Sequence, residues 1–279
     1  MKRSTAVCGI CFAAAWGCFA AIGSGVAQNA AQSGAQGGSS AAASAATPSA
    51  TPTLAQGLAA LQGDQARLAL TDFQAILKGD PNNTAANLLA STAAVELYQG
   101  QLAVQYAEKA RQLDPQNWKI HTTLVAAYSA AGMKQQRNQE RALLEQLHKT
   151  GAPDARQATG FLIEMFPLEM YRVDVVEYFE PMGKFHTYYR FLVRQADGHR
   201  VWEVDVESDD FDERSWAAAH AADAAAGARQ FQLTGHGDNN RDVEYRNFSG
   251  KPDYDNIRVM VVESLRARGI PGGQGAAAH

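Results

Sequence analysis

A chain of 279 residues with 46% hydrophobic and 19% charged residues has room for one or two domains. Its net charge of −4 argues against nucleic acid as a partner, because phosphate recognition needs a basic stripe. All three cysteines, Cys8, Cys11 and Cys18, lie near the start.

That start reads as a secretory signal peptide over residues 1–27. Lys2-Arg3 precede an uncharged run of small and apolar residues, and Gly25 and Ala27 stand at the two small positions before a cut. The expected location is secreted or periplasmic; a membrane-anchored form is the alternative, because the run is about long enough to span. Membrane contact otherwise enters only through lipidation at Cys18. Cleavage after Ala27 leaves a chain with no disulfide, no thiol nucleophile and no thiolate metal site. Residues 28–53 are Ala/Gly/Ser-rich with no large apolar group, so they read as a flexible linker. Thr51-Pro52 supplies a cap and first turn for a helix entering at Leu54.

Residues 54–150 alternate helix, short turn, helix. LAQGLAAL and ARLALTDFQAILK end at KGDPNN; TAANLLASTAAVELY and QLAVQYAEKARQL end at DPQN; WKIHTTLVAAYSA and MKQQRNQERALLEQL form a third pair. Pro81 and Pro115 are 115 − 81 = 34 residues apart. Proline cannot continue a helix and restrains the residue before it, so each Asp-Pro closes one pair and frees the next.

This stretch resembles the tetratricopeptide repeat family, which has that period. The second unit places small residues at Ser91, Ala103 and Ala110 and its closing proline at Pro115; the first matches with Gly57, Ala69, Phe73 and Pro81. The third keeps Leu124 and Tyr128 but departs from the pattern. Val125 stands where a small residue is usual, Arg137 stands where alanine is usual, and no closing proline comes after it. The resemblance implies stacked helical hairpins and a concave face lined by the first helix of each unit. The positions implied are Leu54, Leu58, Leu88, Thr92, Val95, Thr122, Ala126 and Ser129. With so few cations there, the strip suits an apolar protein or peptide segment and not a clamped carboxylate.

After residue 150 the period changes to that of strands. KFHTYYRFLVR puts Phe185, Thr187, Tyr189, Phe191 and Val193 on one face. RVWEVDV puts Trp202, Val204 and Val206 on one face with Glu203 and Asp205 opposite, and Asp197-Gly198 turns between the two runs. DERSWAAAHAADAAAG reads as a helix capped by Asp212 and stopped by Gly227. RQFQLTG and RDVEYRNFSG read as strands, and the Ile257, Val259, Val261 alternation favours a strand start for NIRVMVVESLRARG. The fold class is α+β: an N-terminal all-α array, then an antiparallel β-rich α+β domain over 151–270, then a loose tail over 271–279.

In this second part His236 is a candidate base with Asp238 as its orienter, within a loop whose Gly and Asn equally serve a plain turn. Asp209, Asp210, Asp212 and Glu213 form an acidic knot that reads as helix capping more than as a cation site, since no spaced calcium loop surrounds it. Ser249-Gly250-Lys251 lacks a glycine-rich approach and so is no phosphate cradle. His186, His199 and His220 are scattered, so no metal and no cofactor is expected. Tyr188, Tyr189, Arg190 and Trp202 read as sheet packing before they read as a binding platform. The functional expectation is an exported interaction scaffold of a bacterial envelope that binds a protein or peptide. A hydrolase-like enzyme built around His236, or a purely structural role, is the alternative.

Overall fold

The computed structural model describes residues 51–183, 186–208, 217–236, 243–250, 253–268 and 270. Asp209, Asp210, Asp212, Glu213, Phe185, Asp238 and Lys251 lie outside the described residues.

Side-chain caps set where the helices begin. Helix α1 (Leu54–Gln62) starts at Thr53, two residues after the cap expected at Thr51. The Thr53 hydroxyl accepts from the Gln56 amide at 3.2 Å, and the Gln56 side chain accepts from the Thr53 amide at 2.8 Å. This reciprocal box satisfies two amides that a helix start otherwise leaves unpaired. Helices α2 (Ala66–Gly79), α3 (Thr84–Glu96), α4 (Gly100–Leu113), α5 (Trp118–Ala130) and α6 (Lys134–Thr150) continue the array as antiparallel pairs. Asn83 caps α3 and Asn117 caps α5, each directly after an Asp-Pro turn.

The small residues lie at helix contacts. Ala69, Ser91, Ala103 and Ala110 are fully buried. The Ser91 hydroxyl donates to the Ala103 carbonyl at 2.8 Å, so α3 and α4 touch backbone to side chain. A Cβ at Gly100 would stand 2.4 Å from the Ala130 carbonyl, which leaves room only for glycine where α4 meets α5. A polar network then joins the second and third units. His121 Nδ1 lies 2.8 Å from Glu140 and its Nε2 lies 3.0 Å from the Pro115 carbonyl. Burial works against charge on this ring, but the Glu140 hydrogen bond and the Pro115 carbonyl outweigh it and raise the His121 pKa. The ring thus ties α5 to the turn that precedes it and to Glu140 of α6.

After the short α7 (Pro153–Gln157), strands β1 (Gly160–Leu168), β2 (Tyr171–Met182), β3 (Thr187–Arg194), β4 (Arg200–Glu207), β5 (Arg229–His236) and β6 (Val243–Gly250) form one antiparallel meander in chain order. The β3–β4 register pairs Phe191 with Val204 and Val193 with Trp202, as the alternation predicts, and Gly198 takes φ 82° in the connecting turn. The helix expected from Asp212 is represented among the described residues by Ala217–Ala219 and α8 (Ala221–Ala225), and Gly227 at φ 88° follows its C-cap Ala226. The final segment corrects the expectation of a strand start. It is helix α9 (Tyr254–Arg268), whose buried residues Ile257, Val261 and Leu265 recur every four positions, while Val259 is half exposed. The β-branched alternation concealed a helical stripe.

The change of pattern at residue 150 is not a boundary between cores. Val125 of α5 and Leu144 of α6 belong to the same apolar cluster as Ile163, Val175, Phe191, Val204 and Tyr254. The edge strand β1 runs along α5. The departures of the third unit fall at this junction. Arg137, almost fully buried, forks onto both oxygens of Asp255 at 3.1 Å and lies over the Tyr254 ring at 5.2 Å. Arg141, one turn further along α6, bonds Glu177 of β2 and reaches the Tyr189 hydroxyl at 3.1 Å. The array and the sheet therefore meet through Arg137 and Arg141 of α6.

Candidate functional site

The strip of first-helix positions is not the open groove expected of it. Leu88, Val95 and Ala126 are at most 5% exposed, and Leu54, Leu58, Thr92, Thr122 and Ser129 are half-buried. Two causes act together: α3 and α5 pack side by side, and β1 lies along α5. Two hydroxyls there bond back to their own helices, with Thr92 donating to the Leu88 carbonyl at 3.2 Å and Thr122 to the Lys119 carbonyl at 2.7 Å. The centre of the strip is interior.

Accessible surface survives at one end of the junction. A cleft of ≈ 690 Å³ opens between the α1–α2 turn, α2, the end of α3, the start of β2 and the β3–β4 turn. Its apolar wall includes Leu68 and Tyr98, which are 50% and 43% exposed. Tyr98 takes φ 55° at the end of α3, an uncommon backbone for an aromatic residue, and this directs the chain into the next helix. The polar wall is Asp64, Glu96 and Arg172. Arg172 approaches Asp64 at 3.8 Å and lies 2.9 Å from Asp174.

Glu96 is the unusual group of the cleft. Burial raises its pKa from the usual 4.5 to about 7; Arg172 opposes this, and Asp174 and Asp64 add to it. The proton is therefore held more tightly in the folded chain than in the unfolded one. Stability from this residue is greatest below about pH 4.5 and declines as pH rises through about 7. Glu96→Gln should remove that decline and stabilise the protein at pH 8 by on the order of 1–2 kcal/mol, after allowance for solvent screening. Thermal unfolding of both proteins between pH 5 and pH 8 checks this, with parallel curves as the contrary result.

A second polar gathering lies on the sheet face opposite the apolar core. Arg190 of β3 forks onto Asp205 of β4, with both bonds at 2.7 Å. His236, at the end of β5, places its Nε2 3.8 Å from Asp205 Oδ2. Glu207 is nine-tenths buried, two residues along β4 on the same face. Burial first, then the neighbouring Asp205, push the Glu207 pKa up. Asp205, which lies beside His236, is already held by Arg190. Alternation along β4 puts Asp205 and Glu207 on one face; their position beside His236 comes from the β4–β5 register, which no local pattern specifies.

The remaining candidates do not assemble. Among the described residues, the one group of three or more His, Cys, Asp or Glu placed to share an ion is Asp205, Glu207 and His236, so His186, His199 and His220 do not converge. Tyr189 and Trp202 face the core and are buried, while Arg190 faces the other way, so these residues form no platform. Among the described residues no helix is long and apolar enough to cross a membrane. No protein-family model matches the chain, and no curated protein matches it.

Proposed function

We propose that the protein is an exported interaction scaffold of a bacterial envelope, built on a tetratricopeptide-type array, that holds a protein or peptide partner in the cleft at the array–sheet junction. The observation that carries this reading is the pair of exposed apolar residues, Leu68 and Tyr98, in the wall of a concave site that also contains carboxylates. Such a combination supplies an apolar anchor point and a few polar groups that fix orientation. Leu54, Leu58 and Thr92 keep partial exposure on the first two units and could add to the contact. The Lys2-Arg3 start with the uncharged apolar run after it, and the Ala/Gly/Ser-rich composition of residues 28–53, are the sequence features that support an envelope location and a tethered module.

The test is quantitative recovery of partners from an envelope extract by immobilised full-length protein. A Leu68→Ser/Tyr98→Ser double variant is expected to lose about 10-fold or more of the recovery, since each central apolar anchor typically carries about 1 kcal/mol or more. Both positions are exposed, so circular dichroism should be unchanged. His236→Ala, on the other polar gathering, should recover partners like the parent. Undiminished recovery by the folded double variant removes the cleft as the binding site.

A further inference from the structure

The polar sheet face has a feature that partner binding does not use. Asp205, Glu207 and His236 each offer one ligand atom, and these atoms all lie within 4.8 Å of one another. They come from the adjacent strands β4 and β5, so the backbone hydrogen bonds of the sheet fix their spacing. Asp205 and Glu207 are both buried, and among the described residues no cation pairs with Glu207. A buried carboxylate with no cation paired to it is expensive unless a proton or a cation reaches it.

A second observation points into the same space. Thr234 lies directly opposite Asp205 in the β4–β5 register and is 9% exposed. Its hydroxyl is beside Glu207 yet has no hydrogen bond of normal geometry. An unpartnered buried hydroxyl beside two carboxylates and an imidazole is suited to a bound ion and its water.

We infer that Asp205, Glu207 and His236 bind one divalent cation of the zinc class. The imidazole nitrogen selects against magnesium and calcium, which prefer all-oxygen sites, and two carboxylates with one imidazole suit zinc with a position left for water. Arg190 then acts as the outer partner. It holds Asp205 through both oxygens, and a carboxylate has lone pairs left for a metal. This inference is independent of the cleft and of the partner it holds.

The experiment is zinc titration of the chelator-treated full chain by calorimetry, with the thermal midpoint measured alongside. The expected result is about one zinc per chain and a zinc-dependent rise in midpoint. Glu207→Gln preserves shape and removes charge, so its apo form should fold; its zinc affinity should fall about 10-fold or more, and its midpoint should no longer respond. His236→Ala should behave alike, and His199→Ala, in the β3–β4 turn, should bind like the parent. Absence of zinc binding by the parent overturns the inference. So does unchanged affinity in either Glu207→Gln or His236→Ala, or loss of binding in His199→Ala.

Discussion

Tyr254→Ala is expected to destabilise the full chain by about 3–5 kcal/mol, the range for removing a large buried aromatic ring. Tyr254 is completely buried at the first turn of α9. Its ring packs on Tyr189 at 5.7 Å and lies under the Arg137 guanidinium, and its hydroxyl donates to Glu164. Truncation leaves a cavity at the place where α6, the sheet and α9 meet. Tyr254→Phe keeps the ring and gives up only the hydroxyl bond, so about 1 kcal/mol is expected. Urea unfolding of the three proteins checks the order. Equal loss in both variants would mean that the hydroxyl, and not the packed ring, carries the effect.

Ala103→Trp should be comparably damaging for the opposite reason. Ala103 is fully buried in α4, and its carbonyl accepts the Ser91 hydroxyl of α3 at 2.8 Å. An indole cannot enter that contact without parting the helices. Ordinary overpacking costs about 1–3 kcal/mol, and this misfit should reach or exceed the top of that range. The measurement is the urea midpoint of the full chain. An unchanged midpoint would place residue 103 in solvent, against the close packing of α3 on α4.

Periodic elements were legible in the sequence and partnership between them was not. Asp80-Pro81 and Asp114-Pro115 mark hairpin boundaries because proline acts locally, whatever packs around it. Trp202, Val204 and Val206 alternate because one face of a strand is buried, so β4 could be read directly. Strand β1 could not be. A bulge between Leu162 and Glu164 breaks its register, and Met165 and Phe166 are both buried, so alternation fails where the strand touches α5 as well as the sheet. Helix α9 was misread because Ile257, Val259 and Val261 satisfy a period of two, whereas Ile257, Val261 and Leu265 satisfy the period that folding uses.

The sites divide in the same way. The expected strip was placed by analogy with an open array, and its central residues Leu88, Val95 and Ala126 proved interior, because the downstream chain folds back along α5. The clearest signal was present in the departures of the third helical pair. Val125 joins the apolar cluster of the sheet, and Arg137 pairs with Asp255 of α9. A buried arginine requires a carboxylate, and Asp255 of α9 supplies it. The cleft at Glu96 and the Asp205–Glu207–His236 gathering depend on long-range register and on docking, which no window of sequence contains.

The central claim is that the helical array and the sheet are one cooperative body, joined by Arg137, Arg141 and Tyr254. Hydrogen exchange in low urea tests it most directly, because it reports opening free energies segment by segment. The amides of α5 and α6 and those of β2 and β3 should share one opening free energy in the parent, and Tyr254→Ala should lower both by the same amount. If α9 and the sheet lose protection in that variant while α5 and α6 keep theirs, the two parts fold independently and the claim is wrong.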